Sequence, residues 1–396
     1  MKSPLVSVII PTRNRQEYAE KTIRQIAELN QNIEIVVQDN SDDDYLKELL
    51  NDLLSNENIK YSYCETPLPF SENYNRAMER VTGDYVCAIG DDDGILPNIS
   101  ECAIWMKENE IDVIKPAKDQ VYFYPGNINK KKNACIGFGQ YKGAYYYSNP
   151  ETAVISLLDD GGCNYLEKDL AGSYHGLVKR DSMNKVKQIT GKFYSGLTPD
   201  MYSVICLSLL PNIRLAVVDY PITLPGVCPT SGSAASDSGK HVGNIKDAPH
   251  LKQLPDYMWN SSVPRYYSVE TIWAETMLYA IKKMGRDDLI DKYFNSNRLA
   301  QYLYQNNKPQ REEILKIFTK ETSEYVLKCC GENSIEGTNK TIQLLENIAI
   351  KLSGKRKIVR NISDINQAVD VLYSELATNM KNVPWRLIHL KGRIQQ

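Results

Sequence analysis

Three consecutive carboxylates, Asp91, Asp92 and Asp93, stand at the end of the apolar run DYVCAI (84–89) and before Gly94-Ile95-Leu96-Pro97. Like charges this close oppose one another's ionisation. A hard divalent cation, Mg²⁺ or Mn²⁺, relieves that repulsion, because it takes oxygen ligands and is commonly held by one or two carboxylates together with phosphate oxygens. Such a cation carries a substrate phosphate and stabilises charge on it as it leaves. The alternative is a solvated acidic turn, the reading that suits Asp42-Asp43-Asp44. Two further polar clusters, Pro11-Thr12-Arg13-Asn14 and Asp39-Asn40-Ser41, follow apolar runs in the same way. Their company favours the metal reading for the triplet.

The elements that must position these clusters are short strands alternating with helices. VSVII (6–10), IEIVVQ (33–38), IKYSYC (59–64) and DYVCAI read as strands, and 15–29, 44–54 and 71–81 as helices, the last with Ser71 as its N-cap. This alternation implies an α/β fold with a doubly wound, mostly parallel sheet. Ligands bind such sheets beyond the carboxyl ends of the strands, and all three polar clusters fall there. No G-x-G-x-x-G follows the first strand and no G-K-S/T loop occurs, so dinucleotide and P-loop readings lose their usual support. SYHGLVKR (173–180) and IRLAVVD (213–219) read as further strands. GLTPDMYSVICLSLL (196–210) reads as a buried helix with Thr198 as N-cap, Pro199 at its first position and Asp200 just inside.

Between these lie less regular stretches: a basic run Lys130-Lys131-Lys132, a solvated loop; Tyr145-Tyr146-Tyr147, which either stack on sugar rings or pack as a surface ridge; and Gly161-Gly162. Residues 226–243 are rich in Gly and Ser and read as a flexible loop. From about 265 the pattern turns helical, over 266–283, 286–304, 310–331, 337–353 and 362–380. The expected division is 1–250 and 251–396.

Composition narrows the class. The 396 residues carry a formal net charge of -2, which gives no global case for nucleic acid. Nine cysteines without a C-x-x-C pair read as reduced thiols packed as small apolar residues. The apolar stretch before Pro11 is too short for a signal or a membrane span, so the expected location is the cytoplasm.

The segments SVIIPTRNR, VVQDNSDD, NYNRAMERVTGDYV and IGDDDGILP, in this order and spacing over roughly residues 4–230, resemble glycosyltransferase family 2. The resemblance implies a GT-A fold followed here by a C-terminal helical region. It also implies a metal-dependent, inverting transfer from a nucleotide-diphosphate sugar, a UDP-sugar first, to a hydroxyl of a glycan or lipid-linked acceptor in bacterial surface polysaccharide synthesis. By the same resemblance Pro11, Thr12, Arg13, Asp39 and Asn75 meet the nucleotide, Asp91 lies near the ribose, and Asp92 or Asp93 holds Mn²⁺ or Mg²⁺. The sequence departs from the family pattern at Gly90, where an Asp is usual, and at Tyr74, where an Arg usually precedes the Asn. Asp200 stands where the family keeps its catalytic base, although the usual Glu-Asp pair is absent. It is either that base or an acid favoured by the helix dipole, with Asp159, Asp160 and Asp169 as competitors. In the flexible loop, Lys240 is placed to neutralise the diphosphate and His241 to complete the metal site, or the two form a surface pair. Two other functions stay open, a nucleotidyltransferase and a non-catalytic nucleotide-binding scaffold. The basic stretches 351–360 and 385–393 fit the inner face of a membrane, a terminal helix packed on its own domain, or a second subunit.

Overall fold

The computed structural model describes residues 4–29, 32–126, 133–231, 242–330 and 356–377. The chain opens with β1 (Val6–Thr12), α1 (Gln16–Glu28), β2 (Ile33–Asp39), α2 (Tyr45–Leu49), β3 (Ile59–Tyr63), α3 (Phe70–Met78), β4 (Tyr85–Ala88), β5 (Gly94–Ile95) and α4 (Ile99–Glu108). It continues with β6 (Val113–Pro116), β7 (Val121–Phe123), β8 (Cys135–Gly139), β9 (Tyr145–Ser148), α5 (Pro150–Asp159), β10 (Leu177–Lys179), α6 (Arg180–Thr190) and α7 (Pro199–Ser208). Then come β11 (Leu215–Val218), β12 (Thr223–Leu224), β13 (Gly226–Val227), α8 (Val269–Lys283), α9 (Asp287–Tyr293), α10 (Ser296–Asn306), α11 (Arg311–Ile317), α12 (Lys320–Cys330), β14 (Arg356–Arg360) and α13 (Ile365–Ala377).

The main sheet has the strand order β3-β2-β1-β4-β10-β6-β11-β9. β1 runs parallel to β2 and β4, β2 to β3, and β6 to β11, while β10 and the edge strand β9 run against their neighbours. β1 and β2 are buried on both faces, which is why they read as nearly continuous apolar runs. Val6, Val8 and Ile10 face one core and Ile9 the other, the alternation a strand imposes. α1 closes the first core with Ala19, Ile23 and Ile26; α7 and α8 close the second with Met201, Ile205, Met277 and Leu278. The α/β sheet flanked by helices, with a helical region after it, is the architecture expected.

Details differ. The helix expected over 44–54 is only α2, because Arg24 takes the Leu49 carbonyl at 2.7 Å and grips Asp52, turning the chain away. α3 starts at Phe70 with Pro69, not Ser71, as its cap; the Pro69 carbonyl accepts from Glu72 and Asn73 N–H. The strand expected over 173–180 is three residues long. The tyrosine run lies on the edge strand β9 as an exposed ridge, Tyr145 edge-on to Trp105 and Tyr146 donating to Asp169 at 2.9 Å.

The helices expected over 266–331 form α8 to α12, broken at Phe294-Asn295 and Phe318-Thr319. The helix expected over 337–353, the basic run 130–132 and the stretch 385–393 lie outside the described residues. The final described segment is not part of the helical region assigned to 251–396. β14 pairs antiparallel with β8, and α13 buries Ile365, Ala368, Val369 and Leu372 in the first core, because its apolar positions recur at helical spacing. It packs so closely on β5 that a Cβ at Gly94 would lie 2.7 Å from Val369 Cγ2. The far end of the chain therefore buttresses the turn that carries the acidic triplet. No helix among the described residues is long and apolar enough to cross a membrane.

Candidate active site

The triplet sits beyond β4 and is buried: Asp91 is 0%, Asp92 4% and Asp93 2% exposed. Each carboxylate is met differently. Asp91 is gripped by Arg15, with Nη2 2.5 Å from Oδ1 and Nε donating to Oδ2 at 3.1 Å, and Thr12 Oγ1 donates to Oδ2 at 2.6 Å. Asp92 Oδ2 accepts from Cys228 N–H at 3.0 Å, and its Oδ1 lies 3.6 Å from Arg15 Nη1. Asp93 accepts from Gly90 N–H at 2.6 Å and Gly226 N–H at 2.7 Å. Its Oδ2 is also within 3.3 Å of Tyr174 Oη and His175 Nε2. The β12–β13 segment closes over the triplet so tightly that a Cβ at Gly226 would fall 1.7 Å from the Asp92 carbonyl oxygen. Only glycine permits this approach.

Burial raises Asp91 to about 6, with Arg15 and Thr12 acting against it and Asp92 with it. Burial and Asp92 raise Asp93 to about 7, against the Gly226 and Gly90 N–H groups. Burial alone would lower the Arg15 guanidinium, but Asp91 and Asp92 hold it above its ordinary value. His175 adopts a left-handed backbone, φ 57°, a strained choice for histidine. Burial and Lys118 hold its imidazole well below the usual range. The ring is therefore neutral; its Nδ1 is hydrogen-bonded to Thr223 Oγ1 at 3.0 Å, and its Nε2 lies 3.3 Å from Asp93 Oδ2.

Two cavities adjoin, with Phe70, Tyr74, Tyr174 and His250 in the wall between them. One, of about 590 Å³, is bounded by the first strand end: Pro11, Thr12, Arg13 and Arg15, with Asn40 and Asn73. Asn73 Nδ2 donates to the Thr12 carbonyl, while its buried Oδ1 has no hydrogen-bond partner among the described residues. The other, of about 580 Å³, brings Asp93, Lys118, His175 and Asp200 together below Trp273 of α8. Asp200 stands in the first turn of α7, and its Oδ2 accepts from Tyr165 Oη at 2.6 Å.

Residues 7–171 match the model of Glycosyl transferase family 2. This stretch is a family 2 glycosyltransferase domain. The chain is 33% identical over 99 residues to the Campylobacter jejuni GalNAc(5)-diNAcBac-PP-undecaprenol beta-1,3-glucosyltransferase, covering 24% of this chain and 31% of that protein. It is 30% identical over 163 residues to the abequosyltransferase RfbV of Salmonella typhimurium, covering 34% and 49%. The chain thus spans less than half the length of either curated relative. A crystal structure of S. aureus TarS 1-349 in complex with UDP-GlcNAc aligns over 82% of this chain and 79% of that one, with TM-score 0.44 and 15% identity.

Within the family 2 domain, several expected site residues stand elsewhere. Asn75 does not face either cavity: its Nδ2 donates to the Tyr194 carbonyl at 2.8 Å and its Oδ1 accepts from Tyr194 N–H at 3.0 Å. Both amide groups are used to pin that loop. Asp39 is wholly buried, accepting from Ser41 N–H and Tyr61 Oη at 2.9 Å each. Asp91 is sealed behind Thr12 and Arg15 and holds the wall of the cavity at the first strand end without forming its surface. Of Asp159, Asp160 and Asp169, Asp160 pairs with Lys168 and Asp169 with Lys115, and Asp159 lies 3.5 Å from Asn295 Nδ2. None of the three bounds the cavity that holds Asp200. Lys240 and His241 lie outside the described residues.

Three residues of the site went unmarked in the sequence reading. Arg15 belongs to the same PTRNR motif as Arg13, and the spacing gives no choice between them. Arg13 borders the same cavity as Arg15, but its Nη2 reaches only the exposed Asp42, at 3.7 Å. Lys118 lies just past β6, another strand end, so the rule that found the three clusters would have found it. Its side chain is exposed and lines the cavity, yet desolvation by the surrounding protein and Lys115 lower it to about 8. His175 carried no signal, since its role depends on a left-handed turn.

Among the described residues no three His, Cys, Asp or Glu side chains gather as a metal-ligating group. Arg15 neutralises Asp91. A cation bound mainly by substrate phosphates needs one or two carboxylates. Asp93, the triplet member on the cavity wall, fits that role; Asp92, turned towards Cys228 and Arg15, does not.

Proposed function

We propose that the chain transfers a sugar from a nucleotide-diphosphate donor to a hydroxyl of a glycan or lipid-linked acceptor, with inversion. The observation that carries the reading is that Asp93 and Asp200 share one cavity with Lys118, beside a second cavity built from the first strand end. In this reading the nucleoside occupies the cavity of Thr12, Arg15 and Asn73, and Asn73 Oδ1 accepts from it. The diphosphate reaches towards Asp93 and Lys118. A Mn²⁺ or Mg²⁺ ion held by Asp93 and phosphate oxygens would stabilise charge on the leaving diphosphate. Asp200 removes the acceptor hydroxyl's proton as that oxygen bonds to the anomeric carbon; the bond to the diphosphate breaks, and its electron pair leaves with the nucleoside diphosphate. The PP-undecaprenol in one relative's name supports a lipid-linked acceptor, and the exposed Arg356, Lys357 and Ile358 of β14 support work at the inner face of a membrane.

A panel of nucleotide sugars, UDP-sugars first, incubated with Mn²⁺ tests the reading. One donor should release its nucleoside diphosphate, and Asp200→Asn should lower transfer by about 10²–10⁴-fold while nucleotide affinity holds. Release of pyrophosphate would instead make the chain a nucleotidyltransferase. Nucleotide binding without turnover of any donor would make it a scaffold.

A further inference from the structure

The Gly161-Gly162 pair is held by the helical region that lies outside the family match. Gly161 has φ 67° and Gly162 φ 86°. A Cβ on Gly161 would lie 2.4 Å from Leu299 N of α10, and one on Gly162 2.9 Å from Ala274 Cα of α8. The turn that follows is tied at two more points. Asn164, also left-handed at φ 60°, donates from Nδ2 to Tyr302 Oη of α10 at 2.8 Å. The Tyr165 ring stands edge-on to Trp273 of α8, centroids 4.8 Å apart. Tyr165 is 8% exposed, and its hydroxyl ends 2.6 Å from Asp200 Oδ2.

A carboxylate at the first turn of a helix can rotate about its side-chain bonds. A base, however, must present one oxygen within hydrogen-bond reach of the proton it takes. The Tyr165 hydroxyl ties Oδ2 and leaves Oδ1 for that task. We propose that Tyr165 is a positioning residue that orients Asp200, and that α8 and α10 act on catalysis by fixing the 161–165 turn. The proposal rests on the reading of Asp200 as the base. Charge-assisted hydrogen bonds are the stronger kind, and errors in positioning fall on turnover more than on binding.

Tyr165→Phe keeps the ring against Trp273 and removes only the hydroxyl. In the full chain, with the donor found active, kcat for transfer should fall about 10–100-fold. The donor KM and nucleotide affinity should stay within about twofold. In an Asp200→Asn background the same substitution should change the residual rate by less than about twofold, because the group it orients is already disabled. Trp273→Leu, which loosens the support, should lower kcat less, again with the donor KM preserved. Wild-type kcat in Tyr165→Phe, with Asp200→Asn inactive, would overturn the proposal and leave the functional reading intact. Full transfer by Asp200→Asn would overturn both. A Tyr165→Phe chain that loses nucleotide binding, or whose effect adds in full to that of Asp200→Asn, would show that Tyr165 supports the fold and not the base.

Discussion

Replacing Arg15 with methionine should expose how the triplet is held. Arg15 makes a two-point contact to Asp91 at 2.5 and 3.1 Å, and Asp91 is wholly buried. Removing one partner of a buried ion pair costs about 3–5 kcal/mol, because the other charge stays behind without it. Two features place Arg15→Met at or below the lower end. The Arg15 side chain is 24% exposed, and Asp91, already raised to about 6 by burial, can take a proton in the variant. The expected loss is about 2–3 kcal/mol near pH 8. It should shrink towards pH 5, because the variant's folded state binds a proton that the unfolded chain has released, and its stability therefore falls as pH rises. Urea unfolding of the metal-free, nucleotide-free protein, followed by tryptophan fluorescence, measures this. Arg15→Met with Asp91→Asn should recover about half of the loss. Arg13→Met, which disturbs only a 3.7 Å contact to a carboxylate whose side chain is 74% exposed, should stay within about 0.5 kcal/mol of wild type. Equal stability losses in the Arg13 and Arg15 variants, or none in Arg15→Met, would refute the assignment of Arg15 as the triplet's counter-charge.

Gly226→Ala forces a Cβ against the Asp92 carbonyl and should cost more than about 2 kcal/mol; calorimetry should show Mn²⁺-dependent nucleotide binding lost as the N–H groups of 226 and 228 withdraw. Asn75→Ala removes two hydrogen bonds to the Tyr194 backbone and should cost about 1–3 kcal/mol with nucleotide affinity unchanged, whereas Asn73→Ala should weaken nucleotide binding. Glu275 is buried on α8, accepting from Asn260 N–H and Tyr257 Oη, and burial raises it to about 7 against those donors. A carboxyl raised on folding stabilises the fold at low pH and loses that contribution as pH climbs from about 4.5 to 7, so Glu275→Gln should gain on wild type in urea midpoints across that window.

The fold was legible because strand burial and strand sequence are the same fact seen twice. β1 and β2 bury every residue and are apolar through their middles; the polar pair near their starts, Ser7 and Glu34, is joined by a 2.6 Å hydrogen bond, and Thr12 and Asp39 stand at their ends. The C-terminal segment was not legible for the opposite reason. α13 announces a helix by its spacing, but an amphipathic stripe does not say which surface covers it. Residues 94 and 369 meet over a separation in sequence that no local pattern bridges. Boundaries failed where a long-range contact decided them, as when Arg24 of α1 ends α2 by taking the Leu49 carbonyl.

At the site, residue type was readable and partnership was not. Three adjacent aspartates asked for positive charge, and a metal was one answer among several. In the fold the charges are handled separately: Asp91 by a guanidinium, Asp92 chiefly by the peptide N–H of Cys228, more than 130 residues away, Asp93 by two peptide N–H groups and the Tyr174 hydroxyl. A guanidinium cannot give up its proton near neutral pH, so Asp91 is matched permanently and serves as structure. Peptide N–H groups stabilise a carboxylate without cancelling its charge. Asp93 therefore keeps a charge that a cation or a proton can still meet, and it is the member of the three on the wall of the cavity with Asp200. The motif delivers three carboxylates because two of them, with Arg15 and the 226–228 backbone, build the frame in which the third faces the cavity.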